Sequence, residues 1–369
     1  MRDVKPQGLS SGDEVSGAPS LGFRCVICSF SSLLGEKPMS PAFLLPSGGS
    51  ASTRVTAWQT LSPFLRHNHR RIGVGVVKIE GIMPPVLTPF KEDEELDEEA
   101  LKKELRHFLR VGVHGLTVCG STGEGYALTG EEIGRVTKIA VDEAKGKVPV
   151  ITGVITDSTK IALMHAKKAK EAGADALMVT PVHYVFLPTP EGLYDYFKRI
   201  GEEIRLPIII YNVIPWVTVS ADLAKKLTEI EYIKGIKQSG GDIHGLADMV
   251  RAVGDKIPIM TAIDDMLLPS FIIGAKGAIA AICTVAPELC IHLYESVKEG
   301  DLKTATAIHH KLLPVWRAVG KGDMPARAKE ALAQMGMPLG PARSPLIRVN
   351  EAAKKEIHAA LVEAGLLKK

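Results

Sequence analysis

Cysteine is scarce, with five in 369 residues. So few make no disulfide framework in a chain of this length. Cys119, Cys283 and Cys290 sit in apolar segments, as buried thiols of a reducing, cytoplasmic compartment do. An excess of one charge is also missing. The formal net charge is +3, and no basic stripe with interleaved aromatics occurs, which argues against a nucleic-acid partner. No apolar run reaches the length of a membrane span; the longest are strand-sized. What remains is an ordinary globular composition, 46% hydrophobic and 24% charged, ample for a core in one large domain or two.

The first 78 residues lack sustained periodicity and are rich in Ser, Gly, Pro and Arg, so this stretch reads as disordered. It holds Cys25-Val-Ile-Cys28, with His67 and His69 further on, but the spacing fits no compact zinc finger. A basic, serine-bearing segment also suits a targeting peptide, against which Asp3, Asp13, Glu14 and Glu36 stand. A third reading is favoured. Arg70-Arg71 can be encoded AGGAGG, a bacterial ribosome-binding sequence, and Val74 and Val76 follow at a spacing that suits GTG starts. The functional protein is then expected to begin near Val74.

From Glu80 onward, short β-rich runs alternate with amphipathic helical runs. The strand candidates are Ile82–Leu87, Gly115–Cys119, Val148–Gly153, Ala176–Thr180, Pro207–Asn212, Ile233–Lys237, Ile257–Ala262 and Gly277–Ile282. Several are apolar throughout, as in Ile208 to Tyr211, which suits a sheet covered on both faces. Thr129 and Glu132 form a capping-box pattern before one helix, and Thr189-Pro190 cap another. Eight strand–helix units predict an α/β fold, a (β/α)₈ TIM barrel over residues 79–300. A doubly wound open sheet is the alternative, but Thr88 to Asp97, after the first strand, contains no glycine for a nucleotide loop. Three more helical stretches predict a C-terminal appendage over residues 301–369.

Chemistry in such a barrel gathers at the C-terminal strand ends. The sixth strand ends in Lys237. A lysine at a strand end can simply be a surface residue. In an apolar setting, however, desolvation favours its free amine, which attacks ketones to form an imine. The fifth strand ends in Tyr211-Asn212, whose phenol can relay protons beside that lysine. The second ends in Gly120-Ser121-Thr122-Gly123-Glu124-Gly125, a small-residue turn whose N–H groups suit a carboxylate or, less well, a phosphate. The fourth is followed by His183 and Tyr184, and the seventh by Asp264-Asp265. That acidic pair lacks a third ligand for magnesium, and no cluster has metal-ligand spacing. A two-carboxylate glycosidase lacks its acid/base pair, since Glu124 reads as a brace for its loop.

Gly120-Ser121-Thr122-Gly123-Glu124, then Tyr211-Asn212-Val213, then Gly235-Ile236-Lys237 resemble the dihydrodipicolinate synthase / N-acetylneuraminate lyase family of Schiff-base aldolases. The resemblance runs from about Ile79 to Leu367. It implies a homotetramer, a dimer of dimers, that acts on a small-molecule 2-oxo acid such as pyruvate without cofactor or metal. Lys237 matches the imine-forming lysine, Tyr211 the proton-shuttling tyrosine and Ser121 a relay hydroxyl. Thr122 and its neighbour Gly123 match the binder of the pyruvyl carboxylate. Asp264 and Asp265 fall at substrate-facing positions, and Ile279 at one that lines the pyruvate pocket. The reaction implied is carbon–carbon cleavage or formation, or dehydration of a 2-oxo-3-deoxy sugar acid.

The departures bear on the substrate. Lysine-pathway synthases run Tyr-Asn-Val-Pro-Ser-Arg, whose arginine grips the carboxylate of the aldehyde. Here the run is Tyr211-Asn212-Val213-Ile214-Pro215-Trp216, and an indole does not replace a bidentate anchor. Trp216 can instead stack on a ring. His183 or Tyr184 stands where the synthases place a tyrosine pair. A lyase acting on a 2-oxo acid with an apolar, aromatic or sugar-like tail is expected. The alternatives are 4-hydroxy-tetrahydrodipicolinate synthase or a non-catalytic 2-oxo-acid binder. At the other end of the chain, sequencing the gene is expected to show AGGAGG at Arg70-Arg71; other arginine codons there would remove the argument for a start near Val74.

Overall fold

The computed structural model describes residues 77–239 and 242–368. The readings for residues 1–76, including disorder, Cys25, Cys28, His67, His69 and the start near Val74, lie outside the described residues.

Eight parallel strands form one sheet, ordered β1-β8-β7-β6-β5-β4-β3-β2. They are β1 (Gly81–Ile82), β2 (Leu116–Val118), β3 (Val150–Val154), β4 (Ala176–Val179), β5 (Ile208–Asn212), β6 (Ile233–Gln238), β7 (Ile259–Thr261) and β8 (Gly277–Ala278). The last seam closes just beyond β1. The Val86 N–H donates to the Thr117 carbonyl at 2.8 Å, and the Thr117 N–H to the Pro84 carbonyl at 3.1 Å. Pro84 and Pro85 have no N–H to donate, so this seam is a bridge rather than a ladder. The same prolines end β1 at Ile82 instead of Leu87. The sheet is thus a (β/α)₈ barrel and not an open sheet.

Helices α1 (Glu98–Val111), α2 (Gly130–Ala144), α3 (Thr159–Glu171), α4 (Pro190–Ile204), α5 (Ala221–Leu227), α6 (Ile243–Val253) and α7 (Leu267–Ile273) follow strands one to seven. After β8 the chain turns at once into a single turn, α8 (Ile282–Val285), and then α9 (Pro287–Glu299). This is why β8 stops at Ala278 rather than at Ile282. The expected capping box is present: Thr129 Oγ1 accepts the Glu132 N–H at 3.2 Å, and Glu132 Oε2 accepts the Thr129 N–H at 2.8 Å. Thr189 Oγ1 accepts the Gly192 N–H at 3.2 Å, with Pro190 at the first helical position. The appendage is α10 (Leu302–Val319), α11 (Met324–Gln334) and α12 (Glu351–Glu363), with α10 packed on α9 and α12.

The strands are buried on both faces. Outward residues such as Ile208, Ile210 and Ile236 meet the helices. Inward residues Met83, Ile151, Met178, Ile209, Tyr211, Met260 and Ile279 fill the barrel. Between β5 and β6 the register slips by one residue, from Ile208 opposite Ile233 to Ile209 opposite Gly235. Lys234 takes up the slip and is exposed.

Glu104 of α1 is fully buried against the end of β1, where its Oε1 accepts the Leu87 N–H at 3.0 Å. Its Oε2 has no partner among the described residues. Burial pushes this carboxyl up to about 8, against the opposing pull of the Leu87 N–H and the Lys329 charge. A raised folded pKa means that the folded chain holds a proton which the unfolded chain releases above about pH 4.3. The contribution of Glu104 to stability is therefore fully present in acid and is lost as pH rises through about 8. Glu104→Gln keeps the acceptor and removes the titration. In chemical denaturation its stability relative to wild type is expected to rise between pH 5 and pH 8, by about 1 kcal/mol or more per pKa unit crossed. A difference that stays flat with pH would contradict this.

Candidate active site

The slip in register aligns Tyr211 with Lys237 across β5 and β6. Residues that pair in register point to the same side of the sheet, here inward. Both are buried, Lys237 4% and Tyr211 2% exposed. The Lys237 Nζ lies over the Tyr211 ring, 3.9 Å from its centroid. The Tyr211 hydroxyl donates to Ser121 Oγ at 3.1 Å. The ring beneath the lysine is thus tied by a hydrogen bond to the loop after β2.

That loop is held in an unusual shape. Cys119 and Glu124, at its two ends, both have φ of 55°, a left-handed conformation that costs a side-chain-bearing residue about 1–2 kcal/mol. A Cβ at Gly125 would overlap the Cys119 carbonyl oxygen, and one at Gly123 the Val86 carbonyl oxygen. The loop folds back on itself through Glu124 N–H to Ser121 carbonyl, 3.1 Å, and Gly125 N–H to Gly120 carbonyl, 2.9 Å. Thr88 Oγ1, from the end of the first strand unit, donates to the Gly123 carbonyl at 2.5 Å. The N–H groups of Ser121, Thr122 and Gly123 have no backbone acceptor among the described residues. Such a run of N–H groups is a cradle for an anion.

Asp264 closes another side. Its Oδ1 accepts the Ile282 N–H at 2.7 Å, which caps α8. Burial pushes its carboxyl up to about 7, while the Ile282 N–H and the Lys237 charge pull the other way. The charge of Asp265 acts on His309 of α10, on the appendage side. Ile279 lies in the inward cluster with Tyr211 and Met260.

His183 and Trp216 are brought to each other on the rim. The Trp216 Nε1–H donates to the His183 carbonyl at 2.8 Å. The His183 N–H donates to Asp157 Oδ1 at 3.0 Å, and its ring Nδ1 lies 3.1 Å from the Pro181 carbonyl. Trp216 is 63% exposed, so its ring is available at the mouth.

Two residues without an expected role belong to the site's frame. The buried Asn212 side chain bonds the Val219 N–H at 2.9 Å, the Val219 carbonyl at 3.0 Å and Gln238 Oε1 at 2.8 Å. It fixes the loop that carries Trp216, and an amide at the end of an apolar strand was its signal. Ser239 has a buried hydroxyl with no partner among the described residues. Nothing in its spacing marks it.

An amine over a phenol, a hydroxyl relay and an N–H cradle together suit imine chemistry on an acid bearing a ketone. Residues 78–364 match the Dihydrodipicolinate synthetase family. The chain is 37% identical over 295 residues to the protein named 4-hydroxy-tetrahydrodipicolinate synthase of Methanopyrus kandleri, covering 79% of this chain and 98% of that one. A crystal structure of dihydrodipicolinate synthase from Aquifex aeolicus superposes with a TM-score of 0.74 at 33% identity, over 79% of this chain and 100% of the other. The dihydrodipicolinate synthase of Acinetobacter baumannii, solved in complex with pyruvate, superposes with a TM-score of 0.75 at 30% identity, over 79% of this chain and 100% of the other.

The close packing of the loop makes a steric prediction. Gly125→Ala, which overlaps backbone, is expected to destabilise the protein by about 1–3 kcal/mol in urea unfolding. Gly322→Ala, where nothing lies within 4 Å, is expected to stay within about 0.5 kcal/mol of wild type. Equal effects would contradict this account of the loop.

Proposed function

The chain belongs to the dihydrodipicolinate synthetase family, and from that membership we propose that it is a Schiff-base-forming lyase acting on pyruvate or a related 2-oxo acid through Lys237. The observation that carries the proposal is the Lys237 amine on the Tyr211 ring, with the Tyr211 hydroxyl bonded to Ser121. The amine adds to the ketone carbon, and the carbinolamine loses water to leave an imine on Lys237. The cationic nitrogen then accepts the electron pair released when a bond next to the former ketone breaks. Thr122 and Gly123 hold the carboxylate in the N–H cradle. Tyr211 and Ser121 carry the protons of addition and dehydration. Ile279 walls the pocket, and Asp264 faces the rest of the substrate. The reaction needs neither cofactor nor metal.

Trp216 and His183 form the rim that meets the tail of the substrate. The exposed indole, in place of an anchoring guanidinium, favours an apolar, aromatic or sugar-like tail. A second reading, 4-hydroxy-tetrahydrodipicolinate synthase, is favoured by the names of relatives that match over nearly their whole length. Catalysis belongs to residues 79–300, with 301–369 as the appendage. The protein works in the cytoplasm as a homotetramer, a dimer of dimers. The free, buried Cys119, Cys283 and Cys290 support a reducing compartment. The exposed stretch Tyr184-Val185-Phe186-Leu187, with Phe186 87% exposed, supports a subunit contact. Among the described residues no helix is long and apolar enough to cross a membrane.

Incubation with pyruvate and borohydride, followed by mass spectrometry, is expected to leave a stable adduct on the Lys237 peptide. Lys237→Ala is expected to keep its fold and lose both adduct and turnover. Tyr211→Phe is expected to lower turnover by about 10²–10⁴-fold. A folded Lys237→Ala variant with full activity would sink the proposal. Assays that pair pyruvate with aldehydes bearing or lacking a carboxylate separate the two substrate readings.

A further inference from the structure

The carboxylate cradle is held from outside the barrel. Glu124, which ends the cradle loop, is fully buried. Its Oε1 accepts from Lys329 Nζ at 2.7 Å, and its Oε2 accepts the Arg343 N–H at 2.8 Å. Both donors belong to the C-terminal appendage: Lys329 lies on α11, and Arg343 in the connection between α11 and α12. Lys329 is itself 2% exposed. It also donates to the Pro341 carbonyl at 2.7 Å, and its amine lies 4.5 Å from the centroid of the Phe90 ring. Arg343 reaches past the same ring to Glu132 Oε1 at 2.6 Å and to the Ala127 carbonyl at 2.8 Å, just beyond the loop. On the other side Lys329 acts on the buried Glu104, which holds the Leu87 N–H; the next residue, Thr88, bonds Gly123.

A buried ion pair is a poor way to add stability, because desolvating two charges offsets most of their attraction. What it supplies is direction. Each Glu124 oxygen has its own donor, so the left-handed turn at Glu124 has one place to sit. The three N–H groups without a backbone acceptor among the described residues, and the Ser121 hydroxyl, lie within three residues of that turn. We propose that Lys329 is a positioning residue for the substrate carboxylate, acting through Glu124 on the Ser121–Gly123 cradle and on the Tyr211–Ser121 hydrogen bond. The inference rests on the Schiff-base reading and adds the appendage to the working parts of the site.

The test is borohydride trapping across a series of pyruvate concentrations, on the full chain, with Lys329→Met and with the double variant E124Q/K329M. The double variant leaves no unpaired buried charge, so it keeps the test open if Lys329→Met fails to fold. Thermal unfolding checks that each protein is folded. A purely structural defect lowers the amount of protein that can be labelled and leaves the half-saturating pyruvate concentration of the folded fraction unchanged. The inference expects that concentration to rise about tenfold or more, roughly the loss of one hydrogen bond to a charged group. A folded double variant with wild-type half-saturation overturns it. Absence of an adduct in wild type would instead overturn the Schiff-base reading itself.

Discussion

At the base of β6 the ladder to β5 skips a residue, so that Tyr211 rather than Asn212 lies opposite Lys237. In a strand successive side chains alternate faces, and a slip of one residue reverses which face each partner takes. The bulge at Lys234 therefore sets the lysine on the same face as Tyr211, inside the barrel. There it is buried over an aromatic ring instead of standing among the outer helices. The hydroxyl relay, the cradle and the capping carboxylate of Asp264 acquire a common centre only because of this register.

Around that centre the structure accepts local costs. Two side-chain-bearing residues, Cys119 and Glu124, hold left-handed backbone. Burial pushes the Glu104 carboxyl upward, and Lys329 and Glu124 form an ion pair withdrawn from water. These features lie close together, around the loop after β2 and the residues that pin it. Strain of this kind persists where the surroundings over-determine the backbone. Here they do so from two sides: Thr88 from the first strand unit, and, from the appendage, Lys329 with Arg343, the latter itself held by Glu132 of α2. The rim is built more loosely, with Trp216 and His183 joined through one carbonyl. A firmly held cradle and a more open rim fit the proposed division between the acid end and the tail of the substrate.

Much of this was legible in the chain. Alternating strand and helix patterns, the capping box at Thr129 and the glycines around Ser121 each depend on residues within a few positions of one another, and each is found. Glu124 was legible as a brace, but its partners were not, because Lys329 and Arg343 lie about two hundred residues away. The early end of β1 follows from Pro84-Pro85, a pair visible in the sequence inside an otherwise apolar run. The early end of β8 follows from Asp264, whose carboxylate starts α8 at Ile282, a contact no local pattern announces. Trp216 was expected at the substrate; its indole N–H is already engaged by His183, which leaves only its ring face for that role.

The sequence by itself determined the barrel, its family and the residue types at the strand ends, because periodicity, turn chemistry and short motifs act locally along the chain. Tertiary structure decided which way those residues face and what holds them. In a run such as Ile208 to Tyr211 every position is apolar, so no alternation tells inside from outside. The bulge at Lys234 and the buried pair of Glu124 with Lys329 arise only when distant segments close on one another. They set the geometry because a pleated sheet allows two facings, and a buried carboxylate must find its donors wherever the fold brings them.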